Sequence, residues 1–238
     1  ISGGTAPYSV SPASPSTGLL TGNYCFTITD ANGCTTTACV NVGYIACNLT
    51  ASSSQSAPIL CNGGTTTVVV STTGGTAPLS GDGSFTVGAG TYTYTVTDVN
   101  GCSATTSITV TEPAALSASS SQGAAILCNG GTTTVTVSAT GGTVPYTGEG
   151  TFTVGAGSYT YTVTDDNGCS SVTSITVSEP AALSASSSAT AIACNGGSAT
   201  VTVSATGGTA PYSGTGSFTV SAGSYTYTVT DDNGCSTT

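Results

Sequence analysis

The sequence predicts an all-β chain arranged as a tandem array of small domains, on three observations. It repeats about every 67 residues, its apolar stretches alternate strictly with period two, and no stretch has helical spacing. Cys-Asn-Gly-Gly opens a copy at Cys61, Cys128 and Cys194, and an Asn-Gly-Cys turn recurs at Cys34, Cys102, Cys169 and Cys235. A Gly-Gly-Thr-Ala/Val-Pro segment begins at Gly3, Gly74, Gly141 and Gly207. These signals mark two complete copies, 47–113 and 114–180, between a copy lacking its start, 1–46, and one lacking its end, 181–238. The chain therefore reads as a window on a longer array. A unit of this size buries only about 60% of the surface its unfolded chain exposes, so covalent or neighbour support is expected.

Within copy 47–113 the alternation predicts strands over 51–59, 65–73, 84–87, 91–97 and 103–111, with Val68 and Val70 inward on the second. Several short strands joined by Gly-rich turns indicate an immunoglobulin-like β-sandwich. In the last hairpin, Tyr92, Tyr94 and Val96 share one face, and Ala104, Thr106, Ile108 and Val110 share another. The faces coincide if Val99-Asn100-Gly101 is a three-residue loop with Gly101 left-handed, which pairs Val96 with Ala104 and sets Asp98 opposite Cys102. The joints Glu112-Pro113 and Glu179-Pro180 are followed within three residues by Leu116 and Leu183, so little slack is expected between domains.

Applied to copy 1–46, the same register sets Cys25 directly opposite Cys39, close enough for a cross-strand disulfide. Each later copy has one Cys before its second strand and one after its turn, 41 residues apart: Cys61 and Cys102, Cys128 and Cys169, Cys194 and Cys235. Such regularity favours structural bridges and an oxidising exterior. Pairing within a copy is the first expectation, and closing a loop of that size is worth about 3–4 kcal/mol in the chain-entropy model. The opening turn and the last turn fall at opposite ends of a standard sandwich, which makes Cys61–Cys169 and Cys128–Cys235, between successive copies, the alternative. Cys34 lacks a counterpart and Cys47 is left over in the linker.

Lys, Arg, His, Met and Trp are absent, and ten carboxylates give a formal charge of -10. Nucleic acid is excluded as a partner, because phosphate binding relies on Lys and Arg displacing counterions. The attraction of basic residues to anionic lipid is missing too. No apolar run approaches the roughly 18 residues of a spanning helix, so this segment is not expected to insert into a membrane. Triad chemistry needs a base that His or Lys would supply, and the carboxylates recur at turns and linkers without converging on a cleft, so no enzyme activity is expected. Without His or close Cys-x-x-Cys spacing, the cysteines do not read as zinc ligands.

Taken together, Cys-Asn-Gly-Gly, a Thr-Val-Thr-Val strand, Gly-Gly-Thr-Ala-Pro-Tyr and Gly-Ser/Thr-Tyr-Thr-Tyr-Thr-Val-Thr-Asp-x-Asn-Gly-Cys resemble the SprB-type repeat of giant cell-surface adhesins in gliding bacteria of the Bacteroidota. The likeness covers nearly the whole chain. It departs where Tyr146 and Tyr212 lead into a short Gly-rich stretch, since the family has a longer aromatic strand there. The resemblance implies an exported extracellular protein, carried by type IX secretion, that forms long surface filaments for adhesion or gliding motility.

Three surface features carry further expectations. Glu112 recurs with Asp165-Asp166, and Glu179 with Asp231-Asp232, whereas the first junction holds Ile45 and Asp98-Val99. If these elements meet between domains, the carboxylates offer an interdomain Ca²⁺ site, against solvated turn residues as the plain reading. The outward ladder of Thr91, Thr93, Thr95 and Thr97 beside Ser103, Thr105, Ser107 and Thr109 resembles an ice-binding face, though also any solvated strand pair. Tyr8, Tyr146 and Tyr212 either pack at the core or a joint, or offer a glycan or protein contact, and Asn48-Leu49-Thr50 is a glycosylation sequon. The leading expectation is a structural, non-enzymatic adhesin segment whose partners are neighbouring repeats and other copies of the same filament. A binding module presented by the Gly-Gly-Thr-Ala-Pro-Tyr loops is the alternative.

Overall fold

The computed structural model describes residues 2–12, 19–44 and 46–238, which contain eighteen strands and no helix. The first sequence copy holds β1 (Ser9–Ser11), β2 (Gly22–Thr29) and β3 (Thr35–Val42). The second holds β4 (Thr50–Gln55), β5 (Thr66–Thr73), β6 (Gly83–Val87), β7 (Gly90–Thr97) and β8 (Ser103–Val110). In the third are β9 (Ser117–Gln122), β10 (Thr133–Thr140), β11 (Gly150–Val154), β12 (Gly157–Thr164) and β13 (Ser170–Val177). The fourth has β14 (Ser184–Ala189), β15 (Ala199–Thr206), β16 (Gly216–Val220), β17 (Val229–Thr230) and β18 (Ser236–Thr237). Backbone contacts gather these into two compact units. One comprises Ile1–Ser53, Val70–Gly83 and Thr93–Ser107, and the other Ser54–Val69, Ser84–Tyr92 and Ile108–Thr238.

The third copy shows how the alternation is used. Its β9, β10 and β11 form an antiparallel sheet of order β11-β10-β9, while β12 and β13 form a separate hairpin. Every second residue of β10 points inward, so Val135 and Val137 are buried while Thr134 and Thr136 are not. With Ile126, Val163 and Val177 they make the core, flanked by Tyr146, Tyr159, Tyr161 and Ile175. Each fully buried valine contributes roughly 1.5–3 kcal/mol, so a core of five such side chains is small. Strand β9 runs beside β13 through side chains: Ala118 N–H donates to Ser171 Oγ at 3.1 Å, and Ser120 Oγ lies 2.9 Å from Thr173 Oγ1.

The hairpin register agrees with the alternation. Val163 faces Ser171 and Tyr161 faces Thr173, the third-copy counterparts of Val96 with Ala104 and Tyr94 with Thr106. Gly168 closes the loop at φ 82°. In the first copy the same register brings Cys25 opposite Cys39.

Two elements depart from expectation. The strand expected over 51–59 ends at Gln55, because Pro58 has no N–H to extend a ladder. Ser56 N–H still donates to Thr67 O at 2.9 Å, and Ile59, 5% exposed, leaves the strand to become buried. In the fourth copy the long aromatic strand shrinks to Val229–Thr230, paired with Ser236–Thr237. Its counterpart β12 is paired along eight residues with β13.

Candidate functional site

The chemistry-bearing residues converge at the turns where successive copies meet. Each Asn-Gly-Cys turn is organised by the Asp four residues before its Cys. In the third copy, Asp165 Oδ1 accepts from the backbone N–H of Asn167 at 3.0 Å and of Cys169 at 2.9 Å, while Oδ2 accepts from Thr143 N–H at 2.9 Å. Asp231 repeats this with Asn233, Cys235 and Thr209. Burial pushes the Asp98 and Asp165 carboxyls upward, but their backbone N–H donors outweigh it and hold both below the ordinary 3.8. Asp30 and Asp231 are lowered chiefly by the N–H groups of Cys34 and Thr209 respectively.

A turn so fixed presents two groups outward. Asn167 Nδ2 donates to Thr143 Oγ1 at 2.9 Å and to Leu60 O at 3.1 Å, in the preceding copy. Beside it Cys169 is bonded to Cys61, with Cα atoms 5.7 Å apart. The next joint is the same: Asn233 donates to Leu127 O at 3.1 Å, and Cys235 is bonded to Cys128. The accepting side is a Cys-Asn-Gly-Gly turn, closed by Gly64 N–H on Cys61 O in one case and Gly131 N–H on Cys128 O in the other, each 3.0 Å.

The linker is fastened at both ends. Glu112 accepts from Asn62 Nδ2 at 3.0 Å and Gly63 N–H at 2.7 Å, and Asn62 also donates to Pro113 O. Two residues on, Ala114 O accepts from Gly142 N–H at 2.8 Å, and Leu116 lies against Gly142. Glycine is required here, because a Cβ on Gly141 would lie 2.1 Å from Ala115 O. Glu179, Asn129 and Gly130 repeat the arrangement at the following linker.

These contacts correct the favoured disulfide pairing. Cys61–Cys102, Cys128–Cys169 and Cys194–Cys235 do not form; the pairs are Cys61–Cys169 and Cys128–Cys235, and Cys102 is bonded to Cys47. The reason is distance, since the opening turn of one copy lies against the last turn of the next. Cys25 and Cys39 are bonded across the β2–β3 hairpin. Cys194 carries a free thiol, as does Cys34, and both are exposed.

The expected calcium cluster is not assembled. Among the described residues no group of three metal-binding side chains comes together. The Glu112 and Glu179 carboxylates take N–H donors from opening turns, Asp165 and Asp231 take them from their own turns, and Asp166 and Asp232 are exposed. Ile45, which stands in the glutamate's place at the first junction, lies outside the described residues. Tyr146 and Tyr212 pack against the cores and donate to Gly141 O at 2.5 Å and Gly207 O at 2.6 Å. Tyr8 donates likewise to Gly3 O at 2.9 Å. Exposed Asn48 uses its Oδ1 to accept Gly75 N–H at 3.0 Å.

What sequence reasoning missed is Cys47. It occupies the linker position that holds Ala114 and Ala181 in later copies, a substitution visible in the repeat alignment. The chain matches no protein-family model and no curated protein sequence.

Proposed function

We propose that this chain is a structural, non-enzymatic segment of a long extracellular surface filament, made of immunoglobulin-like β-sandwich repeats and serving adhesion or gliding. The resemblance of its motifs to the SprB-type repeat supports that setting, and four disulfides among the described residues suit a non-reducing compartment.

One observation carries the mechanical part of this reading: the disulfides overlap. Cys47–Cys102, Cys61–Cys169 and Cys128–Cys235 each begin before the previous bond closes. Every peptide bond between Cys47 and Cys235 therefore lies inside at least one closed loop, and a single backbone cut there leaves the pieces joined. Tension on the two ends crosses from Cys47 to Cys102, follows the backbone to Cys128, and crosses to Cys235. Cysteines arranged in separate intradomain loops would leave the linkers as single-strand joints. The all-neutral and acidic surface, with no Lys or Arg, suits a surface element that avoids anionic partners.

Single-molecule stretching tests this reading. With disulfides intact, the span from Cys47 to Cys235 should yield little length on unfolding; reduction should release roughly 55 nm more, at about 3.4 Å per residue. An oxidised chain that already extends to its full backbone contour would overturn the mechanical reading. The binding-module alternative is less well supported, because the Tyr146 and Tyr212 hydroxyls are already engaged with their own loops.

A further inference from the structure

We infer that Asn62 and Asn129 are latent deamidation sites held in check by Glu112 and Glu179, and that conversion of either asparagine to aspartate or isoaspartate releases its linker irreversibly. The inference depends on the chemistry of the joint and goes beyond the filament reading.

Both residues of each Asn-Gly pair are fixed by the fold. Gly63 and Gly130 take left-handed backbone, each at φ 76°, which a residue with a side chain rarely adopts. Asparagine precedes them because its amide must donate. Asn62 Nδ2 gives hydrogen bonds to Glu112 Oε1 at 3.0 Å and Pro113 O at 3.1 Å, and an ionised aspartate could give neither. Asn129 repeats this with Glu179 Oε1 at 2.9 Å and Pro180 O at 3.1 Å. The joint thus requires the dipeptide in which deamidation is easiest, since glycine sets no side chain in the way of its own attacking nitrogen. All four residues are exposed, so water reaches them.

In the reaction the Gly63 nitrogen gives up its proton and attacks Asn62 Cγ. The new N–Cγ bond closes a succinimide as the Cγ–Nδ2 bond breaks, and Nδ2 takes up a proton and leaves as ammonia. Water then opens the ring at either carbonyl, giving aspartate or isoaspartate. The sum is one side-chain amide plus water giving one carboxylate plus ammonium.

Glu112 opposes the first step twice. Its Oε2 accepts the Gly63 N–H at 2.7 Å, so the nitrogen that must lose a proton faces a carboxylate, where negative charge is disfavoured. Its Oε1 and Pro113 O hold Nδ2, so turning Cγ onto the nitrogen means giving up both bonds. Glu179 holds Gly130 N–H at 2.7 Å in the same way. Nothing restores the amide once ammonia has gone. A carboxylate at position 62 then faces Glu112 and the Pro113 carbonyl with no hydrogen to donate, and like charges meet. Isoaspartate also lengthens the backbone of the turn closed by Gly64 N–H on Cys61 O. The Cys61–Cys169 bond beside it is untouched, so the copies stay joined while the linker comes loose.

Timed incubation of the full chain in mildly alkaline buffer, followed by peptide mass mapping, tests the inference with Glu112→Gln and Glu179→Gln. Glu112→Gln should speed deamidation at Asn62 about tenfold, the worth of one charge-assisted hydrogen bond, and leave Asn129 at the unaltered chain's rate. Glu179→Gln should do the reverse. Each variant carries its own control, because general unfolding would accelerate both sites. Asn62→Asp, the product of the reaction, should raise amide hydrogen exchange at Gly63 about tenfold and leave Gly130 unchanged. A rate at Asn62 that stays the same in Glu112→Gln, or falls because the carboxylate had served as the base, would overturn the inference. Equal acceleration at both sites, or unchanged exchange at Gly63 in Asn62→Asp, would overturn it as well. The same maps report Cys61–Cys169, so failure here with that bond present leaves the filament reading intact.

Discussion

The turns at Cys102 and Cys169 share an aspartate cap and the same loop, yet one closes on Cys47 in the linker and the other on Cys61 in the preceding copy. The difference lies outside the turn. Where the linker holds Cys47 the turn cysteine is captured within its own copy, and where it holds Ala114 or Ala181 the same cysteine bonds across to the copy before. The partner is thus a linker residue of the same copy in one case and an opening-turn residue of the preceding copy in the other. The turn itself only presents the sulfur.

The largest expected effect comes from breaking a joint. Cys61→Ser should lose the closure of a loop of 108 residues, worth about 4–5 kcal/mol in the chain-entropy model, and chemical denaturation of the third copy should shift accordingly. A shift no larger than that of a surface substitution would mean that the bond constrains nothing. The comparison can next be inverted. Ala114→Cys should capture Cys169 in the linker and liberate Cys61, raising the free thiols from two to three by thiol titration. Cys47→Ala should likewise free Cys102 and raise the count to three. If Cys61 keeps Cys169 despite Ala114→Cys, linker identity does not direct the pairing.

Acid should act on bonded turns of both kinds. The carboxyls of Asp30, Asp98, Asp165 and Asp231 are lowered in the folded chain, so unfolding takes up protons. Their contribution is complete above the ordinary aspartate value of 3.8 and is lost as pH falls through the lower folded values. Denaturation midpoints should fall as pH drops below about 4 and stay flat above about 5. A midpoint that declines between neutral pH and about 5 would require other groups.

Smaller effects separate the hydrogen bond from the disulfide. Asn167→Ala should cost about 1 kcal/mol and leave Cys61–Cys169 in place. Tyr161→Phe should be neutral or slightly stabilising, since the Tyr161 hydroxyl is buried with no hydrogen-bond partner among the described residues. Loss of more than about 1 kcal/mol on that substitution would show that the hydroxyl is satisfied in solution.

Strand identity and register were legible because period-two alternation and a left-handed glycine are local properties. Val163 opposite Ser171, and Cys25 opposite Cys39, both follow from placing Gly168 and Gly33 in the loop. Disulfide partners were not legible in the same way. Cys61 is 41 residues from Cys102 and 108 from Cys169, and only the placement of the opening turn against the last turn of the next copy brings Cys61 and Cys169 together. The acidic residues misled for a related reason. Glu112 and Asp165 each accept backbone N–H bonds, at different turns, rather than gathering around an ion. Cys47 was readable in principle, as the one linker residue that breaks the Ala114 and Ala181 pattern.

Peptide mapping under non-reducing conditions tests the central claim most directly, with a protease other than trypsin because the chain has no Lys or Arg. The account predicts fragments in which Cys61 is joined to Cys169, Cys128 to Cys235 and Cys47 to Cys102. Recovery of Cys61 joined to Cys102 and Cys128 to Cys169 would contradict it, leaving each copy closed on itself and the linkers unreinforced.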